Sequence, residues 1–229
     1  MAAFPLTRLP ASSVENVLRM MSPLQLVVFS LLSKKCKDQV NSLNTSAETM
    51  RIQITNSIVF EVPFDEDTLR IEFYELDAFM VRLMRDERNK TLRAAAKVTI
   101  GIYRNEVYTE YSQWFTNKLS VKQWVEQLKC VFPNVDVDWI HFSAGAFRFD
   151  LDSIQETFPK IPQLSINHTG DYGFNRLILE KFLPTYAISI SRNCFEDFRI
   201  PHKTIFTMSN VPNLWIEGPR MNITSNSTL

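Results

Sequence analysis

The chain of 229 residues is 45% hydrophobic and balances 25 Lys and Arg against 25 Asp and Glu, a composition that builds a globular core and excludes a whole-molecule electrostatic grip on nucleic acid or an anionic membrane. No uncharged run approaches the roughly 20 apolar residues of a membrane span. Cys36, Cys130 and Cys194 are odd in number and far apart, and no cationic-then-apolar leader opens the chain, so free thiols in a reducing compartment, cytoplasmic or nuclear, are expected.

The beginning of the chain reads as three short helices. Ser12 with Glu15 three residues on makes a capping box, and Val14, Val17, Leu18 and Met21 follow at helical spacing. Ser22, Pro23 and Gln25 repeat the signal with proline at the first helical position, ahead of an apolar stripe of Leu24, Val27, Val28, Leu31 and Leu32. Ser33 opens a third helix on which Cys36, Val40 and Leu43 share a face. About 40 residues is near the lower limit for a self-sufficient core, so this trio needs a partner.

Leu9-Pro10, Val17-Leu18, the Ser-Pro-initiated helix with Leu26 and Phe29, and the basic Ser33–Lys37 segment resemble an F-box. The leading Phe4–Pro10 is similar to F-box proteins of a large nematode family that carry a type 2 F-box-associated domain. Cys36 stands about where many F-boxes have tryptophan. The resemblance implies an F-box over 4–45 that docks on a Skp-family adaptor, and through it a cullin, using Leu9, Pro10, Val14, Val17, Leu18, Leu26, Phe29 and Leu32.

After a polar linker at 44–49, Arg51–Ile54, Ile58–Val62 and Leu69–Phe73 alternate or run β-branched between turn residues and read as short antiparallel strands. Residues 77–95 suit a helix or a charged loop-helix mixture, the basic surplus of four over 82–97 a solvated face, and Lys97–Tyr103 another strand. Ser120 caps an amphipathic helix through Val121, Trp124, Val125, Leu128 and Phe132 that Pro133 terminates.

Beyond that helix, Ile140, Leu164, Ile188 and Leu214 centre four apolar-x-apolar segments 24, 24 and 26 residues apart, a period in the leucine-rich-repeat range. Leu151, Ile154 and Phe158, then Leu177, Ile178, Lys181 and Phe182, form intervening helical stripes, whereas Pro201 restricts the third interval. The polar tail Asn222–Leu229 reads as a truncation or alternative end.

Few convergent polar groups stand in the sequence. His141-Phe142-Ser143-Ala144-Gly145 resembles a nucleophile elbow lacking its first glycine, with His168 and His202 available as bases. Cys194 and His202 have no zinc spacing, and none of the five glycines belongs to a phosphate-cradling loop.

The fold class expected is therefore α+β: a three-helix F-box, then a mixed β/α F-box-associated domain over 50–229, divided into antiparallel strands and helix (50–118) and leucine-rich-repeat-like strand-helix units (119–229). The function expected is a non-catalytic substrate-recognition subunit of an SCF-type ubiquitin ligase, without metal or cofactor; an intracellular hydrolase-like α/β enzyme and a non-degradative F-box scaffold are the alternatives. Alternation along the late strands sends His141, Ser143, Ser165, Asn167, Ser189, Ser191, Trp215 and Glu217 outward as the strip that would hold a target protein.

Overall fold

The computed structural model describes residues 9–74, 92, 95, 97–105, 107–114, 118–196 and 211–217. Residues 4–8 of the leading motif, nearly all of the helix expected over 77–95 with its basic surplus, the interval around Pro201 with His202, and the tail from Asn222 lie outside the described residues.

Helices α1 (Ala11–Arg19), α2 (Pro23–Ser30) and α3 (Lys34–Ser42) precede strands β1 (Thr49–Ile54), β2 (Ile58–Phe64), β3 (Asp67–Tyr74), β4 (Lys97–Arg104) and β5 (Val107–Trp114). Helix α4 (Val121–Val131) leads to β6 (Asp136–Phe142), followed by α5 (Leu151–Thr157), β7 (Gln163–Ile166), α6 (Tyr172–Lys181), β8 (Ala187–Ser191) and β9 (Asn213–Glu217).

The helix starts follow local chemistry. Ser22 Oγ accepts the Gln25 N–H at 3.3 Å and Gln25 Oε1 accepts the Ser22 N–H at 3.1 Å, a complete capping box with Pro23 beside it. Ser33 caps α3, and Ser120 with Gln123 closes a second box on α4. At α1 the expected Ser12 cap is replaced. The helix begins at Ala11 with Pro10 at the cap position and no side-chain cap, while Glu15 pairs with Arg19 at 2.7 Å. Proline's fixed φ already sets the helical entry, and the i,i+4 charge pair claims the carboxylate.

All nine strands form one sheet, in the order β5-β4-β3-β2-β1-β6-β7-β8-β9. β1 to β5 pair antiparallel, whereas β6 to β9 run parallel and join the rest through a parallel β1–β6 pair. One cross-strand row therefore reads Ile100, Ile71, Phe60, Ile52, Ile140, Leu164, Ile188, Leu214. Every member from Ile100 to Ile188 is buried. Because side chains alternate between faces, one face of the sheet is apolar from β4 to β8 and must be covered.

The helices cover it. Trp124 of α4 meets Phe73 edge-on at 6.0 Å, Phe132 reaches Phe64 at 5.1 Å, and Phe158 after α5 meets Phe60 at 6.2 Å. Phe182, after α6, packs on Phe142 at 5.7 Å. On α6 the buried apolar members are Ile178 and Leu179, and Leu177, expected in the apolar stripe, is exposed. Helix α2 lies over β4, and α2 and α3 pack on α4. Ser30 and Gln127 are buried where α2 and α4 meet; Gln127 Nε2 donates to Ser30 Oγ at 2.6 Å, and that hydroxyl donates to the Val27 carbonyl at 2.6 Å. Val14, Leu18, Leu24, Val27 and Val40 belong to the same apolar cluster as the strands.

Phe60 is fully buried at the centre of this cluster. Phe60→Ala is expected to cost about 3–5 kcal/mol in urea unfolding, with far-ultraviolet dichroism and tryptophan fluorescence following one transition, since the N-terminal helices share the sheet's core. Two separated transitions would contradict the shared core.

Candidate functional site

Two surfaces gather the residues singled out from the sequence. On the N-terminal helices the apolar residues divide between inside and outside. Val14, Leu18 and Leu26 are buried, so they cannot form the partly exposed adaptor surface expected of them; they belong to the apolar cluster that the helices share with the sheet. Pro10 is exposed, Leu9 and Phe29 are partly buried against the core, and Val17 and Leu32 are 37% and 69% exposed. Met20 is 88% exposed. Met21, Leu24, Val28, Phe29 and Leu32 line one wall of a groove of about 400 Å³, with Gln25 at its rim and Glu110 and Ser112 of β5 on the other wall.

The second surface is the sheet face opposite the helices. Register places Gln53, His141, Ser165, Ser189 and Trp215 in one row across β1, β6, β7, β8 and β9, and Arg51, Trp139, Gln163, Ala187 and Asn213 in the next. Of the expected strip, His141, Ser165, Ser189 and Trp215 thus stand side by side. Ser191 pairs in register with Glu217, while Ser143 and Asn167 lie just past the ends of β6 and β7. His141 Nδ1 is 3.0 Å from Ser165 Oγ, and its ring stacks on Trp139 at 5.1 Å. Trp215 is 51% exposed. Sequence reading missed Arg51, Gln53 and Trp139, because nothing in the linear pattern announces that β1 lies beside β6.

The same face carries a different chemistry on β2 to β5. Arg70 binds Glu61 at 2.9 Å and lies over the Tyr103 ring at 5.0 Å, and Gln53 Nε2 donates to Glu61 at 3.0 Å. Tyr103 meets Tyr108 edge-on at 5.3 Å, and Tyr108 meets Tyr111 at a tilt at 6.1 Å, along β4 and β5. Gly101 permits this, since a Cβ there would meet the Glu110 carbonyl at 2.5 Å and Tyr108 at 2.7 Å. Burial pushes the Tyr108 hydroxyl up to about 12 and raises Tyr74 as well, with Glu72 adding to both. These phenols are neutral donors at physiological pH.

Behind the ends of β7 and β8 a buried network fixes the loops. Thr169 Oγ1 donates to Asn175 Oδ1 at 2.6 Å, Asn175 Nδ2 donates to the Cys194 carbonyl at 2.8 Å, and Cys194 Sγ donates to the Ile166 carbonyl at 3.2 Å. Thr169, Asn175 and Cys194 are fully buried. Gly145, at φ +94°, turns the chain after β6 where a side chain would collide with Asn56. The His168 ring lies tilted against Tyr172 at 5.1 Å. Among the described residues no group of three or more His, Cys, Asp or Glu is placed to hold a metal ion, and no helix is long and apolar enough to cross a membrane.

Residues 6–46 match the family model of the F-box domain, which supports an F-box protein. An F-box points in general to a substrate-recognition adaptor of an SCF complex, where such domains bind Skp-family adaptors. No curated protein and no solved structure matches the chain significantly.

All three cysteines are free. Burial pushes the Cys194 thiol up to about 12, whereas Cys130 is only partly buried. Because the thiolate is the reacting form, iodoacetamide at pH 8 is expected to label Cys130 well ahead of Cys194 in the folded protein, read by peptide mass spectrometry. Equal rates would show that the strand-end network opens.

Proposed function

We propose that the protein is the substrate-recognition subunit of an SCF-type ubiquitin ligase, its F-box docking on a Skp-family adaptor and its sheet holding a target protein. The observation that carries this reading is the F-box match at residues 6–46 on helices that keep Val17, Met20 and Leu32 exposed while burying Val14, Leu18, Leu24, Leu26 and Val27. On this reading the sheet region is a type 2 F-box-associated domain of the nematode kind, its late strands leucine-rich-repeat-like, and the chain works in the cytoplasm or nucleus. It is not an enzyme. Its contribution is proximity: binding an adaptor on one surface and a target on another raises the effective concentration of target lysines near the ubiquitin-loading subunits.

The adaptor surface is assigned to Leu9, Pro10, Val17, Phe29 and Leu32, joined by Met20. Val17 on α1, Met20 at its end and Leu32 just past α2 are large apolar side chains left exposed, a feature that marks interaction sites, and anchors of this kind carry most of the binding energy. Val17→Asp with Leu32→Asp is expected to weaken binding of a purified Skp-family adaptor more than about tenfold by calorimetry with the fold intact, while Leu18→Asp unfolds the chain. Unchanged affinity in the double variant would move the adaptor site elsewhere.

The target surface is assigned to the row His141, Ser165, Ser189 and Trp215 with its strand-end neighbours Ser143, Asn167, Ser191 and Glu217. Small side chains let a partner approach the strands closely, and an exposed tryptophan at one end supplies an anchor. Trp215→Ala with Asn167→Ala should abolish capture of target proteins while adaptor affinity is kept; retention of every target would place the site on another surface.

A further inference from the structure

The apolar row stops at the sheet edge. On the helix-covered face, Ile102 pairs with Glu110 and Ile100 with Ser112, so β5 turns a carboxylate and a hydroxyl where each neighbouring strand has an aliphatic side chain. The helices do not stop there. Phe29, Val28 and Leu32 form with β5 the groove of about 400 Å³, a volume within the range of ligand pockets, and Leu32 is largely exposed. Among the described residues β5 is the last strand of the sheet on this side, and its outer backbone groups face no described strand.

Edge strands are usually kept from pairing by lysine, proline, short length, a bulge or an inward-pointing charge. β5 has eight residues and neither lysine nor proline. Thr109 is the extra residue of a bulge in the β4–β5 pair, which leaves Glu110–Trp114 in regular register. The inward charge is Glu110, whose carboxylate takes a hydrogen bond from the Ser22 hydroxyl at 3.4 Å beside the first turn of α2. A wholly apolar strand laid on this edge would strip water from that carboxylate without replacing it, which is costly. A strand presenting a cation there would meet it, so the carboxylate selects as well as protects. Two-fold pairing of β5 with a second copy would bring another Glu110 onto the same face, which disfavours self-association through this edge.

We propose that the edge of β5 accepts an extended segment of a partner protein as a tenth strand, apolar side chains filling the groove beneath α2 and one lysine or arginine set against Glu110. Backbone pairing supplies the affinity and the groove reads alternate side chains. The groove shares Phe29 and Leu32 with the adaptor surface assigned above, so the proposal concerns the chain free of adaptor, and its readout at Glu110 and along β5 fails or holds separately from adaptor binding.

The test uses the purified full-length chain and two fluorescein-labelled peptides of alternating threonine and valine, one with a central lysine and one with a central glutamate. The lysine peptide is expected to bind roughly tenfold or more tightly than the glutamate peptide by anisotropy and to slow amide exchange at Glu110–Trp114. Glu110→Lys should invert the preference and Glu110→Gln remove it, both variants folding normally because Glu110 is exposed. Equal binding of the two peptides, an unchanged preference in Glu110→Lys, or unaltered exchange along β5 would overturn the proposal.

Discussion

The structure depends on covering one apolar sheet face. Strands β4 to β8 in the sheet order share it, and each fully buried Ile, Leu, Val or Phe contributes about 1.5–3 kcal/mol only if something lies over it. Helices α5 and α6 follow strands of the parallel half and lie over it. Over the antiparallel half the cover comes from α4 together with the N-terminal helices, α2 resting on β4 and α2 and α3 on α4. The Gln127 to Ser30 hydrogen bond at this junction is buried, so separating the helices would leave polar groups stranded as well as apolar ones exposed.

This arrangement divides the F-box's apolar residues between two tasks. Val14, Leu18 and Leu26 are buried in the core cluster shared with the sheet, and Val17, Met20 and Leu32 stay exposed, available to a partner on the function proposed above. On the function proposed above, this arrangement would fix the geometry between the adaptor surface and the sheet, because the N-terminal helices and the strands belong to one core cluster. Rigidity of this kind keeps a bound target at a set distance from the rest of a ligase, where effective concentration falls when geometry is wrong.

Much of the fold was legible because local chemistry and tertiary structure agree. Ser22-Pro23-x-Gln25 and Ser120-x-x-Gln123 capped helices where the sequence placed them, and the spacing of Ile140, Leu164, Ile188 and Leu214 matched their parallel register. Three things were not legible. β5 escaped because Glu110 and Ser112 occupy its core-side positions, erasing the alternation by which strands are recognised. The β1–β6 pairing is non-local and leaves no trace in either segment, so Arg51, Gln53 and Trp139 could not be joined to the His141 row. The burial of Val14, Leu18 and Leu26 was missed because helical periodicity identifies an apolar face without saying whether its cover comes from the same chain or another.

The central claim, that the outer face of α1 and α2 docks an adaptor while the open sheet face stays available, is tested most directly by hydrogen exchange on the purified chain with and without a Skp-family adaptor. The account requires slower exchange through α1 and α2 on adding the adaptor and unchanged exchange along β6 to β8. Protection confined to the parallel strands, or no protection at saturating adaptor, would contradict it.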